Sequence, residues 1–304
     1  MSQVFICRSE NAASFDPQKA AAQLSALSRI RIGVDLGYCD SLGSSRGGIF
    51  PFADIDLAQM QRIVKNHGLV DFDVLAVSSF PRLDRPGAVV LDMDMTSVQI
   101  EGIDEIARRF KVYYAVADIT AQAMRGEIDF ATSLRRRVSM LRHCPARVLE
   151  EVRNAMPETA GLDLLMHCAA EASWKKGICS GGFVQIISKL EQKYHLDMVR
   201  ANSFDIQNDE LTGELDGAVV DAESKREGII ALRERFSLDP AQVVVLGDGA
   251  NDLKMIEEAG LGIAYHAKPL VQERAPCALN HSDLSAVALL LKLASRREQA
   301  QTAL

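Results

Sequence analysis

The chain has 304 residues, 48% of them hydrophobic and 25% charged, with a formal net charge of -7. That length holds two domains, or one with a large insertion, and buries a sizeable core. The acidic balance, with no basic run longer than Arg135-Arg136-Arg137, argues against a nucleic-acid partner, and no apolar stretch approaches the 18 residues of a membrane span.

The opening residues, MSQVFICRSENAASF, carry neither the basic region nor the apolar core of a secretory signal, so a cytoplasmic protein is expected. Six dispersed cysteines without a C-x-x-C pair fit reduced thiols better than disulfides or zinc. A strand is expected from Val4 to Cys7, then a helix toward Leu27 opened by Asp16 as N-cap and Pro17 at N1. Ile30, Ile32, Val34 and Leu36 alternate as a strand, and a Gly/Ser-rich loop follows from Gly43 to Gly48. Leu57, Met60, Ile63 and Val64 share a helix face, and Val74 to Val77 is a further strand. Residues 1–85 thus read as a small α/β domain of ferredoxin-like or ACT-like kind, suited to regulation or to forming a homodimer.

Pro81, Pro86 and Gly87 punctuate a linker, after which strands and helices alternate to about Leu293. This is the pattern of a parallel sheet covered by helices on both faces. Between its first strand and the next, near Ile178, residues 102–170 are helical, too much chain for one crossover, and predict an inserted helical cap. The polar tail from Ser295 is expected to fray.

Four motifs carry chemistry. In AVVLDMDMTS, residues 88 to 97, an apolar strand runs into two carboxylates. Residues i and i+2 of a strand lie on one face about 6 to 7 Å apart, so Asp92 and Asp94 would crowd one volume. Such a pair resists joint ionisation unless a cation sits between the two or one keeps a proton. A solvated acidic turn is the plain alternative. In GICSGGF, Ser180 precedes two glycines that let a ligand approach the backbone, though Ser-Gly-Gly is also a common turn. In DAESKREG, Lys225 near a helix start opposes the helix dipole, which calls for a local anion or simple exposure. In VVVLGDGANDLKM, a strand ends in Asp248, Asn251 and Asp252, where the alternative is a D-G turn. The spacing excludes an EF-hand, and no Walker phosphate loop is present.

Taken in order, D-x-D-x-T, S-G-G, K and G-D-G-x-N-D resemble the haloacid dehalogenase superfamily of Mg²⁺-dependent phosphatases, over Val89 to roughly Leu293. The stretches DMDMTSVQIEGIDEIA, AMRGEIDFATSLRRRV, CSGGF, GDGANDLKMI and AGLGIAYHAKP narrow the resemblance to the bacterial phosphoserine phosphatase family. It implies a Rossmann-like parallel core over residues 86–304 with a C1-type helical cap. The implied activity is hydrolysis of O-phospho-L-serine to L-serine and phosphate, the last step of L-serine biosynthesis, through an aspartyl phosphate.

The resemblance also implies roles. Asp92 would be the nucleophile and Asp94 the general acid and base. Mg²⁺ would be held by the Asp92 carboxylate, the Asp94 carbonyl and the Asp248 carboxylate. Ser180, Gly181, Lys225 and Asn251 would bind the phosphoryl oxygens, with Asp252 supporting Lys225 or a metal-bound water. Glu101 would meet the substrate ammonium and Arg137 its carboxylate, with Met124 and Phe130 lining the cavity. Arg135 and Arg136 would be solvated. Met95 stands where the family usually has Ser or Thr, and its side chain should point away from the chemistry. Phosphoryl transfer to another alcohol, or a binding protein without catalysis on the same fold, are the alternative readings.

Overall fold

A four-stranded sheet, a six-stranded sheet and a separate two-stranded hairpin organise the described residues, and one long helix packs against the first. The computed structural model describes residues 2–9, 12–34, 37–66 and 71–302. The first unit runs β1 (Gln3–Arg8), α1 (Pro17–Ser28), β2 (Tyr38–Leu42), β3 (Ser45–Pro51), α2 (Leu57–Asn66) and β4 (Asp73–Val77). Its strands pair antiparallel in the order β2-β3-β1-β4. The α1 cap forms as the sequence predicts, with the Asp16 carboxylate accepting from the Gln18 and Lys19 amides and Pro17 in the first turn.

The second strand does not fall where alternation placed it. Of Ile30, Ile32 and Val34, only Ile32 makes an isolated bridge, to Phe52, and Leu36 lies outside the described residues. The pairing is instead a hairpin of β2 and β3 turning at Gly43, whose φ is 58°. The expected Gly43 to Gly48 loop is therefore mostly strand. Its glycines serve packing, because a Cβ at Gly47 would lie 2.8 Å from the Ile6 carbonyl oxygen of β1.

The second sheet contains β5 (Ala88–Leu91), β6 (Lys175–Phe183), β7 (Met198–Asn202), β10 (Val243–Gly247), β11 (Leu261–Tyr265) and β12 (Cys277–Leu279). All pair parallel, in the order β12-β11-β10-β5-β6-β7. Strands buried on both faces explain the unbroken apolar runs: every residue of β5 and β10 is buried. Helices α8 (Val184–Tyr194), α9 (Ala222–Arg235), α10 (Leu253–Glu258), α11 (Pro269–Arg274) and α12 (Ser285–Thr302) complete the crossovers and the C-terminal end.

Between β5 and β6 the chain makes α3 (Gly102–Arg109), α4 (Tyr113–Met124), α5 (Phe130–Ser139), α6 (Arg147–Ala155) and α7 (Leu162–Glu171). The last of these packs on α12 and β6, so it covers the sheet, while α3 to α5 pack in sequence on one another. A hairpin the sequence did not suggest, β8 (Phe204–Gln207) and β9 (Glu210–Leu215), lies against α5. The amide of His143 donates to the Leu211 carbonyl at 2.8 Å, and the Leu211 amide to that of Cys144 at 2.9 Å.

Helix α12 buries Val287, Leu289, Leu290, Leu291 and Leu293, because β2 and β3 cover one side of it and α7 the other. The two sheets consequently share one core, in which Phe5, Ile49 and Leu75 join Leu91 and Leu246. The tail does not fray at Ser295 as expected. Ser295 Oγ donates to the Leu291 carbonyl at 2.9 Å and accepts the Leu83 amide at 2.8 Å, and α12 runs on to Thr302.

Candidate active site

The site forms at the carboxyl ends of β5, β6 and β10, where strand order reverses and open α/β sheets present their crevice. Leu91 sits opposite both Leu246 and Ile178 in the two parallel ladders. One residue further on, Asp92 donates its amide to the Leu246 carbonyl at 2.9 Å. Register alone therefore brings Asp92, Ser180 and Asp248 to one edge.

Asp92 and Asp94 meet by a route other than strand alternation. β5 ends at Leu91, and the Met93 carbonyl accepts the amides of Thr96, Ser97 and Val98, turning the chain back on itself. Ser97 Oγ ties the turn to the Asp92 carbonyl at 2.6 Å. Met95 takes a left-handed φ of 56° and is exposed, away from the carboxylates, as expected. Asp94 Oδ1 accepts the Gly102 amide at 3.1 Å, at the start of α3.

Lys225 and Asp252 are the most buried of the charged site residues. The sequence allowed exposure, but the ammonium has no solvent contact: it donates to Asp92 Oδ1 at 2.8 Å and to Asp252 Oδ1 at 2.6 Å. Burial works against its charge, yet Asp252 and Asp92 outweigh this and hold the ammonium above its usual range. The Asp252 Oδ2 accepts the Gly249 amide at 2.9 Å, so both oxygens of that carboxylate are engaged.

Carboxylate oxygens of Asp92, Asp248 and Asp252 lie within 4.8 Å of one another. Burial, then Asp92 and Asp252, pushes the Asp248 carboxyl up to about 7. Burial, Glu101 and Asp92 likewise raise Asp94 well above the carboxylate range. Mutually repelling, oxygen-only donors of this kind fit a hard divalent cation, and with Asp252 committed to Lys225 and Gly249, Asp92 and Asp248 are the pair suited to hold it.

Ser180, buried in β6, accepts the Gly182 amide on Oγ at 2.9 Å, which leaves its own proton free to donate. The glycines keep the site uncrowded: a Cβ on Gly181 would lie 3.1 Å from the Phe130 ring and 3.3 Å from Asn251 Nδ2, and one on Gly182 2.8 Å from Met93 Cε and 3.3 Å from Asp94 Oδ2.

A cavity of about 440 Å³ opens above these groups, bounded on its far side by α3, α4 and α5. Asp92, Asp94, Ser180, Gly181, Asp248 and Asn251 line its floor, and Glu101, Met124, Phe130 and Arg137 its other walls. Lys225 and Asp252 stand behind the floor. Burial, then Asp104 and Asp92, raises Glu101, while burial lowers Arg137. Arg135 and Arg136 are exposed, as the charge run suggested.

Among the polar lining residues, Asp104, Thr120, Ser133 and Lys268 escaped the sequence reading. Asp104 is one helical turn beyond Glu101 and Ser133 one turn before Arg137, so helical spacing could have found both. Lys268, the residue before α11, gave only the weak signal of a residue before a helix-opening proline.

A parallel α/β core with a buried Asp-Lys-Asp centre at its switch point, and helices over the crevice, defines a hydrolase of the haloacid dehalogenase-like class, whose family model matches residues 86–260. The phosphoserine phosphatase of Haemophilus influenzae is 42% identical over 227 residues, covering 75% of this chain and 72% of that protein. A crystal structure of a probable phosphoserine phosphatase from Vibrio cholerae superposes with a TM-score of 0.79 at 32% identity, over 98% of this chain and 88% of that one. A phospho-aspartyl intermediate analogue of a phosphoserine phosphatase matches at a TM-score of 0.64 and 33% identity, over 68% of this chain and all of that one. Within the haloacid dehalogenase-like hydrolases, the chain belongs to the phosphoserine phosphatase family.

Proposed function

We propose that the enzyme hydrolyses O-phospho-L-serine to L-serine and phosphate through an aspartyl phosphate, an acyl phosphate on Asp92, the last step of L-serine biosynthesis. The observation that carries the choice of substrate is the charge pattern of the cavity. Glu101 and Arg137 face one cavity over Asp92, and Arg137 Nε is buried without a hydrogen-bond partner among the described residues. That Nε is an unmet donor beside Glu101 and Asp104, and a substrate carrying both ammonium and carboxylate satisfies both walls.

The Asp92 carboxylate attacks phosphorus, and the bond to the serine oxygen breaks as Asp94 gives that oxygen its proton. The raised Asp94 carboxyl suits this, since burial and the neighbouring Glu101 and Asp92 favour its protonated form. Its Oδ1 is occupied by the Gly102 amide, so Oδ2, facing the Ser-Gly-Gly turn, carries the proton. Asp94, now ionised, takes a proton from water, which attacks phosphorus, releases phosphate and restores Asp92. Lys225 holds the Asp92 oxygen in place, and Ser180 Oγ, the Gly181 amide and Asn251 bind the remaining phosphoryl oxygens.

Asp92, the Asp94 carbonyl and Asp248 are the groups to hold Mg²⁺. When bound, the ion neutralises phosphoryl charge and polarises phosphorus. A relative solved with a phospho-aspartyl intermediate analogue supports the covalent step.

The remaining assignments follow the same reading. Residues 86–304 are the catalytic domain with a C1-type cap, and residues 1–85 a ferredoxin-like domain, supported by their β-α-β-β-α-β order. Six unpaired cysteines support a reducing, cytoplasmic setting. The test is phosphate release from a panel of phosphomonoesters with Mg²⁺ and with EDTA. Phosphoserine should be turned over fastest and EDTA should abolish turnover. Acid quenching with labelled substrate should leave hydroxylamine-labile phosphate on Asp92, and label on Ser180 instead would refute the mechanism.

A further inference from the structure

Ser133 lies on α5 and lines the active-site cavity; it is 1% exposed, and its Oγ has no hydrogen-bond partner among the described residues. Five other helical hydroxyls satisfy themselves on the backbone of their own helix. Ser28 donates to Leu24, Thr120 to Val116, Ser139 to Arg136, Ser188 to Gln185 and Ser295 to Leu291. The Ser133 hydroxyl makes no such bond, although a buried hydroxyl has more to lose without one.

Its position explains what would satisfy it. Ser133 and Arg137 are four residues apart, hence neighbours on one helix face, and both carry a buried donor without an acceptor. Phe130 and Leu134 flank them with apolar surface. Two unmet donors one turn apart match the two oxygens of a carboxylate. An ammonium is disfavoured there, because it would sit beside the guanidinium.

We infer that Ser133 is a specificity-determining residue whose hydroxyl donates to the substrate α-carboxylate alongside Arg137. This rests on the phosphoserine reading of the site and adds a second contact to its carboxylate end.

The test is Ser133→Ala, compared with wild type on O-phospho-L-serine and on phosphoethanolamine, together with a thermal melt. A lost hydrogen bond to a charged group should lower kcat/KM for phosphoserine about tenfold, mostly through KM. The loss on phosphoethanolamine, which has no carboxylate, should be at least fivefold smaller. Because Oγ has no partner in the free protein, the melting temperature should hold or rise. Equal losses on both substrates, undiminished phosphoserine turnover, or a melting point lowered by several degrees would each overturn the inference, the last by revealing a structural partner. If wild type shows no preference for phosphoserine, the substrate reading falls and this inference with it. If wild type shows the preference and Ser133→Ala keeps it, this inference alone falls.

Discussion

Lys225 donates to Asp92 at 2.8 Å from a position with no solvent exposure, and among the described residues the ammonium that fixes the nucleophile is itself held by carboxylates. Its second partner, Asp252, is equally enclosed. Breaking such a cluster from one side strands charge in a place water cannot reach.

Lys225→Met should therefore cost about 3 to 5 kcal/mol of stability, the usual penalty for removing one partner of a buried pair. It should also lower kcat by about a hundredfold or more, as loss of an electrostatic contact at a reacting centre does. Adding Asp252→Asn should recover part of the stability and none of the activity. Urea unfolding and phosphate release on the single and double variants measure both.

The Asp248 carboxyl gives a pH signature. Its folded value of about 7 lies above the ordinary 3.8, so folding without metal takes up a proton between these values. The stability this group contributes is full below about pH 4 and is lost as pH rises through about 7. A metal needs the ionised form, so Mg²⁺ affinity should strengthen as pH rises toward 7 and then level off. Melting temperatures at pH 5.5 and 8, with and without Mg²⁺, should show the larger metal-induced gain at pH 8. Asp248→Asn should remove that gain, and an equal gain at both pH values in wild type would contradict the assignment.

Substrate selectivity should divide between Arg137 and Glu101. Leaving one charge of the cavity unpaired typically costs about 2 to 5 kcal/mol. Phosphoethanolamine, without a carboxylate, and 3-phosphoglycerate, with a hydroxyl in place of the ammonium, should each fall about 30-fold or more in kcat/KM relative to phosphoserine. Arg137→Ala should depress phosphoserine turnover far more than that of phosphoethanolamine. Matching losses would mean that Arg137 serves the phosphate or the fold of α5.

A chain starting at Leu83 probes the contact between the two sheets. It retains every site residue but uncovers the side of α12 on which β2 and β3 lie. It also removes Asp73, whose buried carboxylate accepts the amides of Asn280 and His281 after β12. The fragment should show a lower melting temperature and a tendency to associate, while any monomeric fraction keeps Mg²⁺-dependent turnover. A monomeric fragment as stable as the full chain would show that α12 needs no cover.

Local order was legible wherever a residue acts through its nearest neighbours in sequence. Asp16 and Pro17 set the start of α1, the apolar runs of β5 and β10 announced strands buried on both faces, and Phe130, Leu134 and Val138 declared the inner stripe of α5. The β2–β3 hairpin was misread because glycines that admit a neighbouring strand have the same composition as glycines in a loop. The end of α12 was misread because Ser295 owes its order to Leu83, far away in sequence.

The sequence by itself determined the chemical inventory of the site, since two carboxylates after one strand, a serine with glycines after another and a Gly-Asp-Gly turn after a third leave few other uses. Only the tertiary structure decided how the inventory is arranged. Parallel register aligned three strand ends, the turn after Met93 returned Asp94 to the cavity, and the fold buried Lys225 between Asp92 and Asp252. The same burial left Ser133 and Arg137 with unmet donors. Burial and pairing across more than a hundred residues depend on which distant groups exclude water from a point in space, and no local pattern encodes that.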